Sequence, residues 1–279
     1  MFNPNSFFDA IFVIPILNVL LGFYHLLQAL SIPGALGFSV VFLTILIRII
    51  LHPLTVTQLK STHKLNKIKP ELDKITALYK DDKQRLHQEQ LKLYQQAGIN
   101  PAAGCLPLLI QMPILIALYN LFSNLLNNGN LSKVIESINN VVYFPFLKIN
   151  SLDLSFLGVN LAYKPSEWQK YGWWLLLVPV ATGALQYWQT KMMMPPGQKT
   201  NNLPAQAGKL QLAEKGKEKK EDDMGAAMQK QMAIMMPLMI GYFAYSFSLG
   251  LSLYWNTFTI FAIIQQHYLN KKLNKENEK

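Results

Sequence analysis

Carboxylates are missing from every clear apolar stretch of this chain. Residues 36–57, 105–126, 171–191, 231–247 and 251–269 contain no Asp or Glu, which removes proton relays and ion-coupling carboxylates from the chemistry those stretches could host. Cysteine occurs once, at Cys105, so an internal disulfide is excluded and the residue reads as small packing. Nucleophile–base pairs, histidine–glutamate metal spacing and phosphate-cradling glycine loops are absent as well. No enzyme, cofactor or metal site is expected. Lys and Arg are absent from residues 1–35.

What is present is apolar. Hydrophobic residues make up 51% of the 279 and mean hydropathy is +0.15, which with repeated runs near 20 residues indicates an all-α polytopic membrane protein. At about 1.5 Å per residue each run reaches across a ~30 Å hydrocarbon core. The expected organisation is five transmembrane helices over the stretches named above. A cytoplasmic helical hairpin covers 58–104, an extracytoplasmic loop 127–170, a flexible cytoplasmic loop 192–230 and a short tail 270–279. The 1–35 segment, with Pro15, Asn18, His25 and Gln28 in its apolar run, reads as an amphipathic helix in the outer interface. A sixth span is the alternative, and a cleaved signal is not expected.

Orientation follows from positive charge. Nine Lys or Arg lie between Lys60 and Lys92, eight between Lys191 and Lys230, and four in 127–170; basic segments are retained inside. The N-terminus is expected outside and the C-terminus in the cytoplasm. A net charge of +10, lying beside membrane, fits anionic lipid or the ribosome surface better than DNA.

In the hairpin, Leu65, Ile68, Leu72, Ile75 and Leu78 recur at three and four, the stripe of a helix with one apolar face. Asp81 and Asp82 break the chain, and Leu86, Leu91 and Tyr94 form a weaker second stripe. Lys60, Lys64, Lys67, Lys69, Lys74, Lys83 and Arg85 give this hairpin the charge of a docking surface for acidic or RNA-bearing partners. A merely solvated tether has equal weight on composition alone.

Arg48 stands alone in the first apolar run. A guanidinium keeps its proton, and a central Arg is unfavourable by about 2.5 to 3.5 kcal/mol on insertion scales. With no carboxylate inside the spans it must face water, polar groups or a transient partner. Thr44, Gln111, Gln186, Asn256 and Thr257 are the candidate polar neighbours, each also explicable as an ordinary interhelical hydrogen bond. His52, at i+4 from Arg48 and followed by Pro53, reads as interfacial or packing. The methionines of 192–194 and 228–239 suit a surface accepting varied apolar partners or plain lipid-facing filler.

Three segments taken together resemble a known family: GFSVVFLTILIRIILHPLTVTQ at 37–58, DDKQRLHQEQLKLYQQAGINPAAGCLPLLIQMPILIALY at 81–119, and SLGLSLYWNTFTIFAIIQQ at 248–266. The chain resembles the YidC/Oxa/Alb membrane protein insertases in their five-span bacterial form. The resemblance implies a hydrophilic groove, open to cytoplasm and lipid and closed outside, with Arg48 in it. Thr44 and Gln111 match groove positions, Met112 and Leu115 positions near the substrate slide, and Tyr254 and Trp255 an aromatic pair beside the path. It implies insertion and chaperoning of integral membrane proteins in the bacterial cell membrane, alone or with the Sec translocase. The implied partners are nascent membrane proteins, the ribosome, the signal recognition particle receptor and membrane lipids. The short, weakly basic tail departs from homologues in which that segment binds ribosomes. A small-solute transporter or channel is the alternative, although it would need coupling carboxylates or repeats.

Overall fold

The computed structural model describes residues 2–98, 106–127, 131–193 and 224–277. Helix α1, Asp9–Ala29, opens with a π-helical turn over Asp9–Val13 and continues as α-helix. Its buried line, Ile14, Leu17, Leu21 and Tyr24 with Leu20 and Leu27, follows the three-and-four spacing of a packed helix face. Helix α2, Ala35–Ile50, starts after Gly34 at φ +75°, a left-handed position that glycine adopts without penalty.

The expected span over 36–57 is not one straight helix. It bends by 60° where α2 meets α3, His52–Leu78. Pro53 explains the break: it lacks an N–H, and its ring meets the carbonyl four residues earlier. Beyond the bend, α3 and α4, Lys83–Gln96, form the hairpin read from the sequence. Asp82 caps α4 by accepting from the Arg85 amide at 3.0 Å, one of the four amides a helix start leaves unpaired. Gln90 donates across the hairpin to Thr76 at 3.3 Å. Leu93, rather than Leu91, is the residue of α4 that is buried.

Helix α5, Leu106–Asn127, leads through α6, Leu131–Asn139, into a connecting cap. Val134, Ile138, Leu147, Ile149 and Leu152 are buried in it. Asn139 closes the cap by bonding both backbone groups of Ile149, donating to its carbonyl and accepting from its amide, each at 2.9 Å. A two-residue hairpin follows, β1 (Ser155–Phe156) paired antiparallel to β2 (Val159–Asn160). Its turn residues Leu157 and Gly158 both have positive φ, the backbone a tight hairpin turn requires. The Phe156 ring fills the space beside Gly37 that a Cβ would occupy, and stacks edge-on with Phe38 at 5.1 Å.

The short α7, Trp168–Tyr171, precedes α8, Leu177–Met193; α9, Met224–Ser246, and α10, Leu249–Asn277, complete the chain. Helices α8 and α9 pack closely where Gly183 meets Gly241. A Cβ on either glycine would stand 3.5 or 3.4 Å from a carbonyl oxygen of the other helix, the small-residue contact that lets helices in lipid approach. Residues 224–230, expected as loop, are helical. Cys105 and the 194–223 part of the expected flexible loop lie outside the described residues. The cap grips the start of α10, with the Leu249 and Gly250 amides donating to the Tyr163 and Leu161 carbonyls at 2.8 and 2.9 Å.

By length and mean hydropathy, Asp9–Ala29 qualifies alone as a membrane crossing, and Ala35–Ile50 with His52–Leu78 qualifies as one bent pair. Among the described residues, helix length and hydropathy do not by themselves yield five spans.

Gly37→Val is expected to destabilise the protein by about 1–3 kcal/mol, because the Phe156 ring must leave its seat. Adding Phe156→Ala should return part of that loss. Thermal unfolding in detergent measures both, and a Gly37→Val protein as stable as wild type would refute this packing.

Candidate functional site

Arg48 lies on the last turn of α2 and is only 6% exposed. Its Nη2 donates to the Phe258 carbonyl on α10 at 2.8 Å, and its Cζ stands 3.4 Å from the centroid of the same residue's ring. The Nε is buried and has no hydrogen-bond partner. The cation is therefore held by one carbonyl and one π-face, both uncharged. The cation–π contact contributes about 0.5–2 kcal/mol, and the bond to the carbonyl is charge-assisted through its donor, but neither partner carries the opposite charge that would neutralise the guanidinium.

The neighbouring predicted residues divide into those the structure gathers and those it does not. Gln111, on α5, donates to the Tyr254 hydroxyl at 2.6 Å, and both are buried. Tyr254 lies one turn before Phe258, their rings 5.9 Å apart. Trp255 donates its indole N–H to Gln186 on α8 at 3.3 Å. Three helices, α2, α5 and α8, thus each send a polar side chain to α10, which is the common partner. Asn256 keeps a buried, unpaired Oδ1, as does Ser252 its Oγ.

Thr44 is buried one turn from Arg48, but its hydroxyl donates to the Val40 carbonyl of its own helix at 2.6 Å. That back-bonding satisfies its donor locally. Met112 is 43% exposed and Leu115 half-buried on α5. Met235 and Met239 are exposed on α9. Arg48 itself is buried, with the Phe258 carbonyl and ring against its guanidinium.

Sequence reasoning passed over Phe258. It sits four residues after Tyr254, the spacing that puts both rings on one helix face, and this was the available signal. Two further links were also missed, at the cytoplasmic side expected from charge. His52 pairs with Gln265, and His63 Nε2 with Asn270 Oδ1 at 3.2 Å, so the base of α3 is joined to α10. In the hairpin, Lys60, Lys64, Lys67, Lys74, Lys83 and Arg85 are exposed and Lys69 is half-buried. Arg85 lies over the Tyr79 ring at 5.3 Å. Partial burial pushes the Tyr94 phenol above its ordinary value.

Against known proteins, residues 26–277 match the family model described as 60Kd inner membrane protein. The chain belongs to this family. The 60Kd inner membrane protein relatives include the membrane protein insertase YidC of Fusobacterium nucleatum, 33% identical over 239 residues, covering 86% of this chain and 88% of that protein. The protein of the same name from Clostridium tetani is 32% identical, covering 86% and 84%. The chloroplast inner membrane protein ALBINO3 of Arabidopsis thaliana is 33% identical over 88% of this chain, which spans only 48% of ALBINO3. Among solved structures, that of an active YidC insertase with its first transmembrane domain resolved aligns with a TM-score of 0.54 at 23% identity. It covers 93% of this chain and 46% of the other, and supports the fold.

Gln111→Leu leaves the buried Tyr254 hydroxyl without its donor and is expected to cost about 1–3 kcal/mol. Tyr254→Phe in the same protein should restore most of it, since both partners are then apolar. A double-mutant cycle read by unfolding in detergent checks this, and strictly additive losses would contradict the bond.

Proposed function

We propose that this chain is a membrane protein insertase and chaperone, which takes nascent membrane proteins from the cytoplasm and releases them into lipid. The observation that carries this reading is Arg48, a buried cation with a carbonyl and a ring for partners, in a chain whose relatives are named insertases. A fixed ion pair would neutralise such a charge permanently. An unneutralised cation can instead attract an acidic or amide group on a passing segment and lower its desolvation cost, which runs to several kcal/mol per unpaired group in hydrocarbon. Partition of the apolar part of the client into lipid supplies the drive, and no bond is made or broken.

The topology proposed is five spans, with the N-terminus outside and α1 in the outer interface of the bacterial cell membrane. The course of α1 supports this. Asn18 bonds the Val141 carbonyl and the Tyr143 amide, and Tyr24 accepts from the Asp153 amide. The helix meets the cap at both Asn18 and Tyr24, about two turns apart, where a perpendicular crossing helix would meet that layer at one end. Ribosomes, the Sec translocase and the signal recognition particle receptor are proposed to dock on the basic α3–α4 hairpin, and anionic lipid on the same cytoplasmic charge.

In proteoliposomes, insertion of a single-span client with a short acidic outside tail is expected to fall about tenfold with Arg48→Ala, a 1.4 kcal/mol effect. Arg48→Lys should recover part of it. Equal insertion by all three proteins would remove Arg48 from the mechanism, and solute flux lost in its place would favour the transporter reading. Ribosome binding to the hairpin should weaken as salt rises from 50 to 500 mM, the behaviour of long-range charge attraction; salt-independent binding would contradict it.

A further inference from the structure

A single residue, Phe258, supplies both partners of the Arg48 guanidinium, its carbonyl at 2.8 Å and its ring at 3.4 Å. The carbonyl belongs to the interior of α10, where each C=O also accepts from its own helix. The ring is half-buried and lies 5.9 Å from that of Tyr254, which Gln111 fixes from α5. The Nε of Arg48 is left unpaired. The site therefore holds its cation with a neutral cover whose position is set by neighbouring helices.

We propose that Phe258 is a specificity-determining residue: its ring acts as a built-in competitor for Arg48, so that clients bearing a carboxylate displace it readily and uncharged clients poorly. This rests on the insertase reading. A carboxylate offers two acceptor oxygens in a geometry that matches the guanidinium fork, and it reaches the unpaired Nε. A glutamine side chain offers a single carbonyl, no better than the one Arg48 already has. The ring thus sets a threshold that only a charged partner clears easily. Removing the ring while keeping the backbone carbonyl lowers that threshold for every client, and most for the uncharged ones.

The test uses the full-length protein in proteoliposomes and two single-span clients that differ only by Glu or Gln in the translocated tail. Wild type should insert the Glu client about tenfold faster than the Gln client. Phe258→Leu should raise Gln-client insertion about fivefold and leave the Glu client near its wild-type rate, the ratio shrinking to about two, within the range a desolvated cation–π contact spans. Phe258→Trp should keep the wild-type ratio. An unchanged ratio in Phe258→Leu, or an equal loss for both clients, overturns the proposal, whereas a wild type that inserts neither client overturns the insertase reading itself.

A second measurement does not depend on that variant folding. With 4-fluorophenylalanine placed at position 258, the fluorine resonance should shift on Arg48→Ala, and should move the same way when a Glu-bearing client peptide is added to the Arg48 protein. A resonance that answers to Arg48→Ala but not to the Glu peptide refutes displacement, and one that answers to neither refutes the contact.

Discussion

The structure depends on one electrostatic constraint: a guanidinium that cannot be discharged sits in a bundle whose five expected spans, 36–57, 105–126, 171–191, 231–247 and 251–269, contain no carboxylate. Everything near it is arranged around α10. Arg48 reaches this helix from α2, Gln111 from α5 and Gln186 from α8, and each meets a carbonyl, hydroxyl or indole on it. In water such contacts would be worth little, but in a low-dielectric interior an unpaired polar group is costly, so these links fix how the helices rotate against each other. The same low dielectric leaves the incompletely satisfied atoms, the donor Arg48 Nε and the acceptor Asn256 Oδ1, ready to take a new partner.

The two ends of the bundle are built differently. The cap between α5 and α8 is tied together by backbone and asparagine hydrogen bonds, holds the start of α10 by two amides, and seats an aromatic ring against Gly37. At the other end, α3 leaves the bundle at a 60° bend and is joined to α10 through His52 and His63. One end is held by many hydrogen bonds and ring contacts, whereas the other bends at Pro53 and carries a basic, largely exposed hairpin. That asymmetry fits the proposed delivery of client segments from the side of the hairpin.

Much of this was legible in the sequence, for reasons that differ by residue. Arg48 was visible because a lone cation in an apolar run has no bland explanation, and the α3–α4 hairpin because Asp82 and the apolar stripes are local signals. The resemblance to the family is now shown, and the helical fold with it. Phe258 was not visible, because one more aromatic in an apolar helix carries no mark; its role depends on the rotation of α10 relative to α2, which only packing fixes. The contact of Phe156 with Gly37 spans more than a hundred residues and is likewise invisible to periodicity. Thr44 was read as a groove position, and its hydroxyl donates within its own helix, a local hydrogen bond that spacing alone does not reveal. The bend at Leu51 could have been read from Pro53, where apolarity running on to Thr57 outweighed the backbone argument.

The most direct test of the central claim, that Arg48 and its α10 cover meet the client, is photo-cross-linking from position 258 during insertion. With benzoylphenylalanine there and ribosome-bound clients of increasing length, cross-links are predicted to centre on the client's acidic residue and to appear only at the lengths that bring it into the bundle. Cross-links from Met112 at every length, with none from position 258, would contradict the account and place the client on the lipid-facing surface throughout.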